Sequence, residues 1–351
     1  MKNLIIPMAG RSTRFPNMRP KWMLTDPMSG DLMCVESIKG INLDYFDNIY
    51  FVFLKSHHDD YNISDGLFRC LKKNKLEKKS KFIILEKSTN SQSETVYEAI
   101  KNENISGFIF IKDSDGYFDI EIKTTENQII YSDLNKSGEI IACNKSYIQM
   151  GNNKIITNIV EKKVISSSYC VGGYGFNSSD EFIKFYKKVI KYSGECYISN
   201  VVFEMILQGL IFIGKEGEKF IDWGTKEDWV KYCSKFSTYF VDLDGTLITN
   251  TSEYIQPYTG SGSPIEENIE VLRNKHKNGE CQIIITTARS SKLKDITIEE
   301  LEKYDIPYDH LIMDLPHSKR FLINDYSNTN SYPSAVSINI ERNQNKLKNL
   351  I

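Results

Sequence analysis

The chain has 351 residues, a formal net charge of −2 at pH 7, and 40% hydrophobic and 12% aromatic residues. This composition can form hydrophobic cores and excludes global disorder, and the length favours two domains of about 100–200 residues each. Lys and Arg do not exceed Asp and Glu, so nothing in the balance favours a nucleic-acid backbone as partner.

The cysteines and the apolar runs bear on location. Seven cysteines are scattered and never spaced as Cys-x-x-Cys, which is typical of free thiols in a reducing cytoplasm. No apolar run approaches the ~20 residues that span a bilayer, and the start MKNLIIPMAGRS does not resemble a signal peptide. We therefore expect a cytoplasmic protein without membrane insertion. The adjacent pair His57-His58 is expected at the surface.

Strand-like and helix-like segments alternate through the first 235 residues. Buried parallel strands are predicted in NLIIPMAG, IYFVFL, KFIIL and GFIFIKD, and helices in SETVYEAIKNE and DEFIKFYKKVI. EIIACN and KIITNIVEK are further strand candidates. This alternation predicts a doubly wound, Rossmann-like α/β domain over residues 1–235.

A second alternation follows and predicts a second α/β domain over residues 237–351. TYFVDLDG, CQIIITT, LIMDL, RFLIND and AVSINI are predicted as about five strands. PIEENIEVLRNKHKNG is predicted as a helix, with Gly279 as its C-terminal cap.

Two aspartates, Asp242 and Asp244, end the first strand of this second domain in YFVDLDGTL. Functional groups gather at the carboxyl ends of strands in α/β sheets. Two carboxylates this close repel each other unless a cation lies between them, which favours a bound Mg²⁺. One carboxylate could then attack phosphorus while the other moves a proton. The alternative is a plain Asp-Gly turn after a strand.

Two later segments supply matching groups. IIITTAR ends in hydroxyls suited to a phosphate oxygen, and KRFLIND ends in a further acid. In this order the segments resemble the motifs of the haloacid-dehalogenase-like phosphohydrolases, over roughly residues 237 to 345. The short spacing between the motifs implies a domain without a large cap.

The resemblance assigns roles to residues of the second domain. Asp242 would be the nucleophile, Asp244 the acid and base, and Thr287 the phosphate-binding hydroxyl. Asp325 would join Asp242 and Asp244 as a Mg²⁺ ligand. Lys319 is chosen as the lysine of the third motif, and its neighbour Arg320 is the alternative.

At the other end of the chain, LIIPMAGRSTRF runs a strand into a loop of small residues. Such loops let backbone N–H groups approach phosphates. Arg14 and Lys21 supply positive charge for a triphosphate, and IFIKDSDGYF places Asp113 and Asp115 at a strand end, where they could hold Mg²⁺. A small-residue loop that serves packing alone is the alternative.

With SQSETVYEAI, VEKK, VGGYGF and FIDWGTKEDW, these segments resemble the sugar-phosphate nucleotidyltransferases over roughly residues 1–235. The resemblance is greatest to a branch associated with bacterial capsule synthesis. It implies that Arg14 and Lys21 bind and polarise an NTP. It also implies that Mg²⁺ is held by Asp115 and Asp222, with Asp113 nearby.

The same resemblance implies the remaining contacts of the substrates. Glu161 and Lys162 would contact the phosphorylated acceptor, Tyr174 its body, and Gln92 would lie near the base. The nucleotide would also contact the loop residues Gly10, Ser12 and Thr13.

Two serines depart from the nucleotidyltransferase pattern. Ser12 and Ser91 stand where the family has glycine, and the segment from Arg14 to Lys21 is short. Serine can hydrogen-bond to phosphate but does not match the freedom of glycine at positive φ.

Together the two resemblances imply a bifunctional enzyme. It would dephosphorylate a sugar or polyol intermediate and couple a phosphorylated acceptor to an NTP with release of pyrophosphate, supplying a precursor for capsule or another surface polysaccharide. CTP, GTP and dTTP all stay open, as do the acceptor and the oligomeric state. The alternative is a phosphatase whose N-terminal module binds a nucleotide or sugar without catalysis.

Overall fold

The computed structural model describes residues 1–136, 142–192, 196–250, 262–325 and 334–351. The chain divides into two compact units, Met1–Trp229 and Val230–Ile351. The predicted domains, residues 1–235 and 237–351, place the division slightly later in the sequence. Of the helices in the described ranges, none is long and apolar enough to cross a bilayer.

A mixed β-sheet forms the centre of the first unit. The strands of this unit are β1 (Lys2–Pro7), β2 (Asn48–Leu54), β3 (Ser80–Leu85), β4 (Phe108–Lys112), β5 (Gly116–Asp119), β6 (Gln128–Asp133), β7 (Ser146–Met150), β8 (Ile156–Glu161), β9 (Ser168–Phe176), β10 (Ile213–Glu216) and β11 (Glu218–Asp222). The main path runs β10-β6-β9-β4-β1-β2-β3, with β7 pairing β8 and β9 off this path, while β11 and β5 form a separate two-stranded sheet.

The predicted parallel strands β1, β2, β3 and β4 are confirmed. β1 pairs in parallel with β2 and β4, and β2 in parallel with β3. In contrast, β9 runs antiparallel to β4 and β6. The sheet is therefore mixed, because the long strand β9 lies between β6 and β4 and runs in the opposite direction to both.

The helices of this region are α1 (Met33–Glu36), α2 (Lys55–Tyr61), α3 (Ile63–Lys73), α4 (Gln92–Glu103), α5 (Ser179–Val189), α6 (Ile198–Leu207) and α7 (Lys226–Cys233). α4, α5 and β8 lie where the sequence predicts them. EIIACN falls partly outside the described residues, and its described end is a 3₁₀ turn.

Both faces of the main sheet are covered by hydrophobic cores. Ile5 belongs to one cluster of buried side chains, and its neighbours Leu4 and Ile6 belong to the other. Successive residues of a strand point to opposite faces. The continuous apolar runs of β1 and β4 follow from this burial on both sides.

The second unit has a smaller parallel sheet. Its elements are β12 (Ser237–Asp242), α8 (Glu266–Lys277), β13 (Cys281–Thr286), α9 (Lys294–Lys303) and β14 (His310–Ile312), and the strand order is β12-β13-β14. The core contains Leu243, Ile269 and Ile283. Gly279 takes φ +69° after α8 and donates its N–H to the carbonyl of His276 at 3.0 Å, which confirms the predicted cap.

Two of the predicted strands of this unit are wrong. RFLIND and AVSINI have no strand structure over residues 320–325 and 335–340. Phe321, Leu322 and Ile323 are all exposed, and Val336 is as well. A strand forms where a neighbour supplies hydrogen bonds and one face is buried, and an apolar run by itself guarantees neither.

The surface position expected for His57 is also wrong. Its side chain is buried, and Nδ1 accepts a hydrogen bond from the indole Nε1 of Trp22 at 3.3 Å. Burial lowers the pKa of His57, partly offset by Asp60. The hydrogen bond joins α2 to the segment that carries Lys21, so this histidine positions the edge of the cleft described below.

Asp31 is a buried carboxylate with several donors. It accepts hydrogen bonds from Lys39 (2.7 Å), Lys73 (2.8 Å) and Asn74 (3.0 Å). Burial raises the pKa of Asp31, but the three hydrogen-bond donors lower it by more than burial raises it. The pKa of Asp31 therefore lies well below its usual range. A depressed pKa stabilises the fold above the unfolded-state pKa, and this stability is lost as the pH falls through the folded-state pKa.

Asp31→Asn is expected to destabilise the protein by about 1–3 kcal/mol at pH 7, because the ammonium groups of Lys39 and Lys73 lose a buried carboxylate partner, although Lys39 keeps its pair with Glu36. Below about pH 4 the difference from wild type should shrink, because the wild-type carboxylate then loses its own advantage. Urea unfolding at both pH values measures this. Asp44→Asn is the matched control, since the carboxylate of Asp44 is exposed and pairs with Lys79 at 3.4 Å. An equal effect of both variants would contradict the assignment.

Candidate active sites

A cleft of about 710 Å³ opens in the first unit. It collects side chains from the loop after β1, the turn between β4 and β5, the end of β8 and the segment after β11. All residues that the sequence assigns to the N-terminal site line it, namely Gly10, Ser12, Thr13, Arg14, Lys21, Gln92, Asp113, Asp115, Glu161, Lys162, Tyr174 and Asp222.

Asp115 and Asp222 are brought together by the pairing of β5 with β11. Asp222 lies opposite Gly116 in this antiparallel pair, and Trp223 donates its N–H to the carbonyl of Asp115 at 2.9 Å. A Cβ on Gly224 would lie 3.0 Å from Asp222 Oδ1 and 3.6 Å from Asp115 Oδ2. Arg14 Nη1 would lie 3.5 Å away, so the glycine faces the two carboxylates together with a guanidinium. Two carboxylates are a ligand set that Mg²⁺ can take together with waters and substrate phosphates.

Basic side chains surround the two carboxylates. Lys21 and Arg14 both pair with Asp115, the latter at 3.7 Å, and Lys145 pairs with Asp222. Burial raises the pKa of Asp115, but the charges of Lys21 and Arg14 lower it by more than burial raises it. The pKa of Asp115 therefore lies well below its usual range. Asp115 is therefore ionised at neutral pH.

Asp113 sits in a less favourable environment than Asp115. Burial raises its pKa, and the charge of Asp115 adds to this, while Lys112 and Gln92 lower it in part. The amide of Gln92 donates a hydrogen bond to Asp113, so the side chain of Gln92 contacts the turn that carries Asp113 and Asp115, here called the acidic turn. The predicted place of Gln92 near the base of the nucleotide stays a prediction.

Lys112 was not identified from the sequence. Its side chain is fully buried, and Nζ donates to the carbonyls of Asp113 and Gly116 at 2.7 Å each. Burial lowers its pKa to about 8, partly offset by Asp113 and Asp115. Lys112 thus stabilises the conformation of the acidic turn. In the sequence, a lysine inside the apolar run IFIKD indicates a buried charged residue of this kind.

The other end of the cleft is built on β8 and its neighbours. Glu161 accepts hydrogen bonds from the hydroxyls of Ser146 and of Ser199, the latter at 2.6 Å. Lys162 takes φ +56° and donates to the Tyr197 hydroxyl. Burial raises the pKa of Tyr174 well above its usual value, so Tyr174 is a neutral wall of the cleft.

The two serines that replace glycine differ in backbone conformation. Ser12 takes φ +49°, and its Oγ accepts a hydrogen bond from the backbone N–H of Lys21 at 3.2 Å. Ser91 is extended at φ −152° and caps α4, accepting from Glu94 N at 3.2 Å. Glycine would therefore relieve strain only at position 12.

Ser12→Gly is expected to leave nucleotide affinity within about threefold of wild type, because relief of strain offsets the lost hydrogen bond. Ser12→Ala keeps the strain and loses the bond, so it should destabilise the protein by about 1 kcal/mol. Thermal unfolding and calorimetric nucleotide titration measure both effects. A glycine variant less stable than the alanine variant would contradict this account.

In the second unit, Asp242 ends β12 and Asp244 follows at the carboxyl edge of the sheet. Thr287 comes directly after β13, and its hydroxyl donates to Asp244 Oδ2 at 3.1 Å. Gly245 takes φ +94° in the turn after Asp244. The buried amide of Asn268 donates to the carbonyl of Thr246 at 2.8 Å, which fixes this loop against α8. The structure thus brings Asp242, Asp244 and Thr287 to one edge.

Arg289 is a member of this cluster that the sequence analysis missed, although it ends the quoted segment IIITTAR. Its guanidinium donates two hydrogen bonds to the Asp244 carboxylate, with Nη2 at 2.6 Å from Oδ1 and Nε at 3.0 Å from Oδ2. Nη1 also pairs with Glu300 on α9 at 2.6 Å. Arg289 is buried, and this bidentate contact fixes the direction of the Asp244 carboxylate.

Arg320, rather than Lys319, contacts the predicted nucleophile. Arg320 Nη1 lies 2.8 Å from Asp242 Oδ1, whereas the ammonium of Lys319 lies 5.9 Å from the ring centroid of Phe321. Burial raises the pKa of Asp242, partly offset by Arg320. The assignment of Lys319 to the third motif, with Arg320 as the alternative, stays a prediction, and Arg320 is the one of the two that contacts Asp242.

The two predicted Mg²⁺ sites stay predictions. Among the residues that the structure describes, no group of three or more His, Cys, Asp or Glu side chains is arranged to hold a metal ion. Asp325 is exposed and lies in a segment without strand structure. The carboxylate pair Asp115–Asp222 offers a two-ligand site, and Mg²⁺ in proteins usually takes one or two carboxylates together with waters and substrate phosphates.

Comparison with solved structures shows the fold. A nucleoside-diphosphate-sugar pyrophosphorylase from Vibrio cholerae RC9 is similar over 66% of this chain and 99% of its own, with 20% identity and a TM-score of 0.55. The inositol-1-phosphate CTP transferase from T. maritima covers 65% and 90%, with 12% identity and a TM-score of 0.50. A UDP-glucose pyrophosphorylase in complex with UDP-glucose covers 67% and 97%, with 13% identity and a TM-score of 0.50.

These similarities show that the chain contains an α/β fold with a mixed sheet that nucleotidyltransferases also have. No protein-family model matches the sequence, and no curated protein matches it significantly.

Proposed function

We propose that the first unit is a nucleotidyltransferase that couples a phosphorylated acceptor to an NTP and releases pyrophosphate. The observation that carries this proposal is the convergence of Asp115 and Asp222 beside Lys21 and Arg14 in a single cleft. Glu161 and Lys162 line the same cleft. The fold shared with the pyrophosphorylases supports the same reaction.

The reaction would join the two ends of the cleft. An oxygen of the acceptor's phosphate attacks the α-phosphorus of the NTP, a new P–O bond forms, and the bond to the bridging oxygen of the β-phosphate breaks. Lys21 and Arg14 would neutralise the triphosphate, and the backbone of residues 10–13 would approach its oxygens. Glu161, Lys162 and Tyr174 would orient the acceptor. Positioning and charge neutralisation provide the rate, with no covalent nucleophile.

Asp115 and Asp222 are the residues that would hold Mg²⁺, with Asp113 nearby. When bound, the ion would neutralise charge on the triphosphate and pyrophosphate oxygens. Gly224 keeps the space between the two carboxylates open, because any side chain there would fill it.

We propose that the second unit is a phosphohydrolase of the haloacid-dehalogenase type. A carboxylate oxygen of Asp242 would attack phosphorus, so that a new P–O bond forms while the bond to the alcohol oxygen breaks, and Asp244 would give a proton to the leaving alcohol. Asp244 would then take a proton from a water molecule that hydrolyses the aspartyl-phosphate and releases inorganic phosphate. Arg289 would hold Asp244 in place, and the contact of Arg320 with Asp242 supports Arg320 in the role assigned to the third motif. Asp325 would complete a Mg²⁺ site only if its segment lies closer to Asp242 than in this structure.

The pairing of the two activities fits a route in which one phosphate is removed from a bisphosphorylated sugar or polyol and the other is coupled to a nucleotide. The product would be an activated precursor for a capsule or another surface polysaccharide. The alternative is a phosphatase with a catalytically silent nucleotide- or sugar-binding unit.

A substrate screen tests the proposal. The intact protein is incubated with each of the four NTPs or dTTP and a panel of mono- and bisphosphorylated sugars and polyols, and phosphate and pyrophosphate are followed separately. We expect both products with one combination. Phosphate release without pyrophosphate, in a protein that binds an NTP, would favour the silent binding unit instead.

A further inference from the structure

Lys145 is a basic residue of the cleft to which the reaction described above gives no role. It follows a 3₁₀ turn at residues 142–144 and directly precedes β7. Its side chain is largely buried, with 15% of its surface exposed, and its ammonium pairs with Asp222. A buried lysine that pairs with a proposed metal ligand is a direct competitor of the metal for that carboxylate.

The contacts of Lys145 place it between the two ends of the cleft. On one side, its ammonium lies 5.1 Å from the ring centroid of Phe220, which is two residues before Asp222 on β11. The ammonium of Lys145 therefore contacts β11 at both Phe220 and Asp222. On the other side, its carbonyl accepts the backbone N–H of Lys162 at 3.0 Å.

The pairing of β7 with β8 fixes this position. Ser146 lies opposite Glu161 in the register, and its hydroxyl donates to the Glu161 carboxylate. Lys145 is therefore anchored by its backbone beside the residues proposed to contact the acceptor, while its flexible side chain reaches towards the metal-binding carboxylates. A lysine ammonium is a mobile point charge that binds phosphate well.

We propose that Lys145 is a phosphate-binding residue that exchanges partners: a divalent cation displaces its ammonium from Asp222, and the ammonium then binds the acceptor's phosphate. The exchange rests on the proposed function, because it takes Asp222 as a metal ligand and the β8 end of the cleft as the acceptor's place. Metal and acceptor would thus reinforce each other's binding, and this coupling is reciprocal.

Lys145→Met tests the exchange because it should change two affinities in opposite directions. Mn²⁺ serves as the probe for the metal and is titrated by electron paramagnetic resonance without nucleotide. Loss of the competing ammonium should tighten Mn²⁺ binding by about threefold to tenfold. At saturating Mn²⁺, the affinity for inorganic phosphate should fall by about tenfold. Lys145→Arg keeps the charge and should restore phosphate binding.

Two further variants make the result specific. Lys136→Met is the matched control, since Lys136 pairs with Glu216 outside the cleft, and it should change neither affinity. Lys162→Met should also weaken phosphate binding if the probe occupies the acceptor's place. A purely structural role of Lys145 would lower the thermal stability without tightening Mn²⁺ binding.

Unchanged or weaker Mn²⁺ binding in Lys145→Met would overturn the exchange, as would unchanged phosphate binding. If either of these results is obtained while the wild-type protein releases pyrophosphate, only the exchange is contradicted and the proposed function stands. If Asp222→Asn leaves Mn²⁺ binding at the wild-type level, the metal assignment of the proposed function fails, and the exchange fails with it.

Discussion

Asp242→Asn is expected to lower phosphate release by about 10³-fold or more, because an amide cannot replace the carboxylate that attacks phosphorus. Pyrophosphate release should persist when the acceptor is supplied with the second phosphate already removed, since the N-terminal cleft draws its acids from Asp115 and Asp222. With the bisphosphorylated acceptor, the same variant should release neither phosphate nor pyrophosphate at an appreciable rate, because the second phosphate is not removed. Both products are measured with each form of the acceptor.

Asp305→Asn is the matched control for Asp242→Asn. Asp305 lies in the same unit, is largely exposed and pairs with Arg273 at 2.9 Å, so this change should leave phosphate release near the wild-type rate. If Asp242→Asn also releases phosphate near that rate, Asp242 is not the nucleophile. A loss of pyrophosphate release with the dephosphorylated acceptor would mean that the two sites are not independent.

Asp222→Asn is expected to lower pyrophosphate release by about 10²–10³-fold, because it removes one of two carboxylates that would hold the metal against the triphosphate. Phosphate release by the second unit should stay at the wild-type level. Steady-state assays of both products, at a Mg²⁺ concentration that saturates the wild-type protein, measure the effect. Higher Mg²⁺ should restore part of the lost rate, since the defect lies partly in metal affinity.

The matched control for Asp222→Asn lies at the other end of the same two-stranded sheet. Asp119 pairs with Lys219 at 2.8 Å and stands opposite Glu218 in the register of β5 and β11. Asp119→Asn should leave pyrophosphate release within about twofold of wild type, because the change lies outside the cleft. Similar losses in both variants would show that the sheet, rather than the metal ligand, had been damaged.

Much of the fold follows from local pattern. The continuous apolar runs predict β1, β2 and β4, because buried parallel strands need apolar side chains on both faces. The apolar runs of β3 and β12 also predict strands, although Ile84 and Phe240 are exposed. The cleft residues of the first unit also follow from sequence, since loops at the carboxyl ends of such strands meet at one edge. Asp222 and its place beside Asp115 could be named in advance only through a family resemblance, because the pairing of β5 with β11 joins distant parts of the chain.

The remaining features depend on long-range contacts that leave no local signal. Lys145 reaches Asp222 only because β7 pairs with β8, and Arg289 reaches Asp244 only because β13 lies beside β12. The segment from Phe321 to Ile323 is as apolar as a core strand, yet all three side chains are exposed. Apolar composition predicts burial only where the fold provides a partner strand.

Titration calorimetry of nucleotide binding tests the central claim most directly. Each of the four NTPs, and dTTP as well, is titrated with Mg²⁺ into the wild-type protein and into Lys21→Ala, whose ammonium pairs with Asp115 in the wild-type cleft. We expect that one NTP binds the wild-type protein and that the variant binds it at least about tenfold more weakly, because a charge contact to the triphosphate is lost. Equal binding in the two proteins, or no binding of any NTP to the wild-type protein, would contradict the assignment of this cleft as a nucleotidyltransferase site.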